Sequence, residues 1–208
     1  MPSADKTKRM KEVRDEIINL KISPLYSYRT ENNYFPVIGE GSHDAAVMFV
    51  GEAPGKNEAM RARPFCGAAG RVLDELLAFI EADRKDVYIT NIVKDRPPDN
   101  RDPLPEEIVL YSPFLDRQID IVQPKAIAAL GRFSSSYILQ KFGLESLVSP
   151  MSRLHGREFF GKTSYGDIAI IPLYHPAAAL YNSSNREVMR GDFLILKKYL
   201  QKFKKFDK

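Results

Sequence analysis

Four short, almost wholly apolar runs, separated by stretches of helical periodicity, limit the folds open to this chain. They occupy residues 45–50, ending at Gly51, then 87–93, 126–130, stopped by Gly131, and 168–173. Runs of this length without polar alternation suit strands covered on both faces, as in a parallel sheet. Between them apolar residues recur at helical spacing. Met10, Val13, Ile17 and Leu20 mark a first helix, with Ser3 as its cap. Val72, Leu73, Leu76, Leu77 and Ile80 mark a second, residues 134–142 another, and Met189, Phe193, Leu196, Leu200 and Phe203 a long final one. Asp102 and Pro103 open a further helix past Leu115 and Ile119, which Pro113 is expected to kink or interrupt. Residues 24–44 mix Pro, Tyr, Asn and Gly and read as a loop or short irregular strand. The alternation predicts an α/β fold: a three-layer α/β/α sandwich around a central four-stranded parallel sheet. With neither internal repeat nor linker, residues 1–208 are expected to form a single domain.

Composition narrows the chemistry. Apolar residues make up 44% and charged residues 28% of the chain, which argues against disorder. Cys66 is the sole cysteine, so neither an intramolecular disulfide nor a cysteine-held metal site can form within one chain. A net charge of +4 is compatible with a nucleic-acid partner without requiring one. Lys197, Lys198, Lys202, Lys204, Lys205 and Lys208 gather near the end, as a solvated helix face or a DNA contact. The charged opening lacks a signal peptide's apolar stretch, and no run of about 18 apolar residues occurs. A cytoplasmic protein without membrane contact is therefore expected.

In open α/β sheets ligands sit beyond the carboxyl ends of the strands. Gly51-Glu52-Ala53-Pro54-Gly55 follows the first run, Asn91 closes the core of the second, and His175-Pro176 follows the fourth. The glycine turn lets backbone approach a ligand closely, although packing alone also explains it. It carries neither the GK[ST] of a phosphate loop nor GxGxxG. Phe65, between Pro64 and a Gly-rich helix start, is a stacking platform or an ordinary core residue. Asn91 can donate and accept at once, as reading one pyrimidine edge requires, or can make a structural bond. His43 and His155 are not at ligand spacing from His175, so zinc is not expected.

Six segments in order, GEAPGxxE, RPFxGxAG, a strand ending TNIVK, RPPxNRDPxPEE, PKxIxALGRF and YHPAAAL, resemble the uracil-DNA glycosylase superfamily. Within it they resemble the family-four, thermostable branch, over about residues 20–200. The resemblance implies a monofunctional DNA-repair glycosylase that flips deoxyuridine out of DNA, hydrolyses its N-glycosidic bond, releases uracil and leaves an abasic site. Glu52 and Glu58 match the acidic positions of the first motif, and His175 the histidine that bonds the leaving uracil. These three are the implied catalytic residues. Gly51, Ala53, Phe65 and Asn91 form the implied uracil pocket, with Phe65 stacking on the base and Asn91 reading its edge. Ala53 stands where other branches place a water-orienting Asp, which shifts weight toward leaving-group stabilisation. Pro176, Ala177, Ala178, Leu180, Tyr181 and Asn182 match the DNA-binding loop, Leu180 as the wedge and Tyr181 where an Arg is common. The four cysteines that hold the family's four-iron cluster are replaced by Leu20, Ser23, Asp95 and Tyr111. No cofactor or metal is expected, and packing is expected to fill the cluster's place. The implied partner is uracil-containing DNA, met by a monomer at the nucleoid. A DNA-binding relative without activity, or a glycosylase for other deaminated bases, is the alternative.

Overall fold

A computed structural model describes residues 3–182 and 184–204, the side chains of 201–204 excepted. In chain order the helices are α1 (Ser3–Ile18), α2 (Tyr26–Glu31), α3 (Lys56–Arg61), α4 (Ala68–Phe79), α5 (Pro105–Val122), α6 (Arg132–Lys141), α7 (Met151–Leu154), α8 (Ala178–Tyr181) and α9 (Ser184–Lys204). The strands are β1 (Glu40–Gly41), β2 (Val47–Gly51), β3 (Tyr88–Asn91), β4 (Ala126–Leu130), β5 (Phe159–Thr163) and β6 (Gly166–Leu173).

They form one sheet in the order β1-β3-β2-β4-β6-β5. The expected four-stranded parallel sheet is its centre, β3-β2-β4-β6, and antiparallel β1 and β5 extend it to six strands. The two added strands left little trace in the sequence. β1 is two residues long, and β5 pairs with β6 across a tight turn at Gly166, whose φ is +119°. The sheet separates two apolar layers. Met48, Val50, Ile127 and Ile170 face Val13, Ile17, Leu115, Ile119 and Ile138 of α1, α5 and α6. Val47, Phe49, Ala128 and Ile171 face Leu73, Leu77, Phe193 and Leu196 of α4 and α9. This opposite-face burial explains why the central strands carry no polar alternation.

Three helix expectations need correction. Ser3 is the first residue of α1 rather than its cap. α5 starts at Pro105, where Glu107 turns back to accept the Leu104 N–H at 2.8 Å. α5 also runs uninterrupted through Pro113. The carbonyl that Pro113 cannot serve is that of solvent-exposed Val109, and the Ser112 hydroxyl donates to it at 3.3 Å. Of the terminal basic cluster, Lys197 and Lys198 sit on α9 and pair with Glu81 and Glu158. Lys205, Lys208 and the side chains of Lys202, Phe203 and Lys204 lie outside the described residues. Among the described residues no helix is long and apolar enough to cross a membrane.

Candidate active site

The carboxyl ends of β2, β3 and β6 open into a cavity of about 540 Å³, lined by Glu52, Phe65, Asn91 and His175 among others. Its geometry begins with the parallel register that places Gly51 beside Asn91. A Cβ on Gly51 would lie 2.3 Å from Asn91 Oδ1 and 2.7 Å from Phe65 Cζ. Gly51 is therefore the gap into which the amide and the ring both reach. The rings of Phe65 and His175 lie 5.6 Å apart with planes tilted by 33°. Phenyl ring, amide and imidazole thus share one pocket.

Phe65 adopts a left-handed backbone, φ 47°, which costs a bulky L-residue of order 1–3 kcal/mol unless its surroundings hold it. Glu58 supplies part of that hold: its Oε1 accepts the N–H groups of Cys66 at 3.0 Å and Gly67 at 2.8 Å. Gly70 supplies another part, since a Cβ there would sit 1.7 Å from the Phe65 carbonyl oxygen. Glu58 therefore fastens the loop that presents Phe65, while also lining the cavity.

His175 is hemmed in by protein, and burial pushes its pKa down to about 4, against a smaller upward pull from Glu58. The ring is neutral at physiological pH. Its Nδ1 faces the Ala177 N–H at 3.2 Å and must accept that bond, so the single ring proton resides on Nε2. Gly131, at φ +91°, passes so close that a Cβ would be 3.2 Å from the His175 Cβ. Burial pushes the Glu52 carboxyl up to about 7, aided by the Asp102 charge and opposed by Arg132. Glu52 thus titrates near neutrality within the same cavity. Ala53 also lines it.

Several contributors escaped the sequence reading. Asn100, Arg101 and Asp102, in the loop before α5, also line the cavity. Asn100, itself left-handed at φ 53°, is held through Oδ1 by Arg96 Nε at 2.7 Å. Arg96 in turn donates to the Tyr28 and Tyr34 hydroxyls and lies over both rings. Lys94 is wholly buried, and its Nζ donates to the Asn91 carbonyl at 2.6 Å, Gln118 Oε1 at 2.6 Å and Thr90 Oγ1 at 2.8 Å. Burial pushes its pKa well below the usual lysine value. The only hint in the sequence was a charged trio, Lys94-Asp95-Arg96, directly after a buried strand. His43 and His155 lie elsewhere, against Thr7 and Asp192 respectively.

The family model of the uracil DNA glycosylase superfamily matches residues 38–204. This chain belongs to that superfamily. It is 44% identical over 185 residues to a Type-4 uracil-DNA glycosylase of Sulfurisphaera tokodaii, covering 88% of this chain and 81% of that protein. A Type-4 uracil-DNA glycosylase of Archaeoglobus fulgidus is 43% identical over 80% of this chain and 81% of its own. One from Thermotoga maritima is 36% identical over 93% and 95%.

In this superfamily member the segment after His175 is a short helix rather than a loop. Ala178–Tyr181 forms α8, and Asn182 Oδ1 accepts the Ser184 N–H at 3.0 Å at the start of α9. Pro176 and Ala179 are buried, whereas Leu180 and Tyr181 project outward, Tyr181 to 90% exposure. Tyr181 and Ala177 also border the cavity.

Leu20, Ser23, Asp95 and Tyr111, which the resemblance puts in the place of the cluster ligands, lie in one region, and their side chains do not fit a four-iron cluster. No thiolate is among them. Tyr111 OH donates to Asp95 Oδ2 at 2.6 Å and lies 2.8 Å from Ser23 Oγ. Arg29 Nη1 reaches both Asp95 oxygens at 3.1 Å, and the Ser23 N–H bonds the Leu20 carbonyl at 3.1 Å. Polar bonding, not apolar packing alone, occupies this region.

Proposed function

We propose that this chain is a monofunctional uracil-DNA glycosylase that hydrolyses the N-glycosidic bond of deoxyuridine in DNA and starts base excision repair. The observation that carries the reading is the meeting of Phe65, Asn91 and a neutral His175 in one cavity. Turning a nucleotide out of the duplex costs a few kcal/mol. Stacking on Phe65 returns roughly 1–3 kcal/mol of that. The Asn91 amide, fixed beside Gly51, matches the mixed donor and acceptor edge of uracil.

Cleavage of the bond leaves positive character on the sugar and negative charge on a uracil oxygen. His175, already neutral with its proton on Nε2, donates to that oxygen without any prior proton transfer. A preorganised donor of this kind is worth roughly 3–4 kcal/mol in the transition state. Glu52 is the carboxylate that faces the sugar or places water, because Glu58 spends Oε1 on the Phe65 loop. Leu180 and Tyr181 meet the duplex, with Leu180 filling the space left by the base. The enzyme acts as a single-domain monomer in the cytoplasm at the nucleoid. Leu20, Ser23, Asp95 and Tyr111 take over structurally where the family's cluster would sit.

The test is incubation with a single-uracil oligonucleotide, then alkali and measurement of strand cleavage, with hypoxanthine and thymine-opposite-guanine substrates in parallel. Cleavage at uracil is expected, reduced about 10²–10³-fold in His175→Ala. Failure to cleave uracil, or full activity in His175→Ala, would refute the assignment. Faster release of hypoxanthine than of uracil would move it to another deaminated base.

A further inference from the structure

We propose that Arg84, which lies outside the cavity, is the positioning residue that holds the Phe65 ring in its base-stacking pose. The proposal rests on the reading of Phe65 as the platform for the flipped base. Phe65 is the sole aromatic among the described non-glycine residues with positive φ. A bulky side chain stays in that region only when something holds the backbone there.

Arg84 provides the hold. It enters from the turn between α4 and β3, and its Nη2 donates to the Pro64 carbonyl at 2.7 Å and the Phe65 carbonyl at 3.1 Å. Its Nη1 donates to the same Phe65 carbonyl at 3.0 Å. The guanidinium is itself aimed by two carboxylates: Glu40 takes Nε, and Asp74 takes Nη1 at 2.9 Å. Glu40 also binds Arg63 at 2.6 Å, at the start of the same loop. Glu58 meanwhile grips the next two N–H groups from the cavity side. The loop is thus clamped by its carbonyls from outside and its N–H groups from inside, with Phe65 between.

The geometry requires a planar fork. A lysine at 84 would keep the charge and an ion pair with Glu40 but could not reach both carbonyls while remaining aimed by two carboxylates. An arginine bonded to backbone nineteen residues away is otherwise easily taken for a surface salt bridge.

The experiment is a double-mutant cycle on single-turnover uracil excision, using Arg84→Met, Phe65→Ala and the double variant, with Arg84→Lys as a milder replacement and melting temperatures for all four. Arg84→Met is expected to lower kcat/KM about 10- to 100-fold, since a 1 Å misplacement at a site has that scale. In the Phe65→Ala background the same change should cost less than about twofold, because no ring remains to misplace. Arg84→Lys should fold and show most of the loss. Equal losses in both backgrounds would mean general structural support and would overturn the proposal. So would wild-type kinetics in Arg84→Lys and Arg84→Met alongside an impaired Phe65→Ala, an outcome that leaves the platform reading intact. Wild-type kinetics in Phe65→Ala would instead remove the platform itself.

Discussion

Replacing Gly51 by alanine tests the site's central geometry with one methyl group. The added Cβ would stand 2.3 Å from Asn91 Oδ1 and 2.7 and 2.9 Å from two Phe65 ring carbons. Non-bonded heavy atoms settle at about 3.5–4.0 Å, so amide and ring must each retreat by about 1 Å. Gly51 cannot move away instead: it is paired in β2, and its carbonyl accepts the Ile92 N–H at 3.0 Å. No left-handed backbone is involved, so the penalty is one of space alone. A 1 Å displacement of positioning groups costs on the order of 10²-fold in rate, about 2.7 kcal/mol of transition-state binding. Overpacking costs about 1–3 kcal/mol of stability, a fall of roughly 2–12 °C in melting temperature for a chain this size. The assay is single-turnover excision at 25 °C, where such a variant remains folded, with thermal unfolding measured alongside. Gly51→Ala should lose about two decades of kcat/KM with a cooperative, slightly lowered transition. A variant keeping more than half of wild-type kcat/KM would refute the claim that Asn91 and Phe65 meet over this glycine to hold uracil.

Glu52→Gln probes the titration of the cavity carboxyl. A carboxyl raised to about 7 is mostly protonated below that pH and anionic above it, so wild-type kcat/KM should rise with pH through neutrality. Gln removes that limb and leaves a flat profile, because His175, lowered to about 4, is already neutral throughout; a limb that persists in Glu52→Gln would assign it to another group. Asp95→Asn leaves the buried Arg29 guanidinium without its counter-charge, a loss of about 3–5 kcal/mol, or roughly 6–20 °C in melting temperature by differential scanning calorimetry. A shift under 2 °C would show that Asp95 is not the anion Arg29 depends on.

The parts of the fold legible in the sequence are those in which burial is complete and local. β2, β3, β4 and β6 are covered on both faces, so their apolar runs needed no tertiary information. β5 alternates buried and exposed residues over five positions and includes Gly161 and Lys162, a pattern too short to separate from a loop. α2, α3 and α8 span six, six and four residues, less than the two turns that define a helical stripe. Within the site, Asn91 and His175 stood out because each is a polar residue at the end of an apolar strand. Arg84, Lys94 and Arg96 did not, because charged residues ordinarily face solvent and each here depends at least partly on partners ten or more residues away, such as Glu40 for Arg84, Gln118 for Lys94 and Tyr28 for Arg96. Nor did the sequence reveal that burial raises the Glu52 pKa, or that Glu58 bonds the loop that carries Phe65.

The run Lys94-Asp95-Arg96 shows how much a charged segment can do when it is buried. Three consecutive ionisable residues after a strand would ordinarily read as the chain returning to solvent, yet none is more than 8% exposed. Lys94 turns inward to the Asn91 carbonyl and Gln118. Asp95 faces Arg29, which also caps α1 through the Ile17 and Ile18 carbonyls, and Tyr111 of α5. Burial pushes the Asp95 pKa up, while Tyr111 and Arg29 hold it down, so the carboxylate depends on both partners to stay charged. Arg96 reaches the two tyrosines and Asn100 at the cavity wall. One short segment thereby fastens the end of β3, the α1–α2–α5 side of the molecule and the cavity-lining loop before α5. Charge-assisted hydrogen bonds join these segments, and each costs full desolvation if a partner is lost, so the segment holds only as a set.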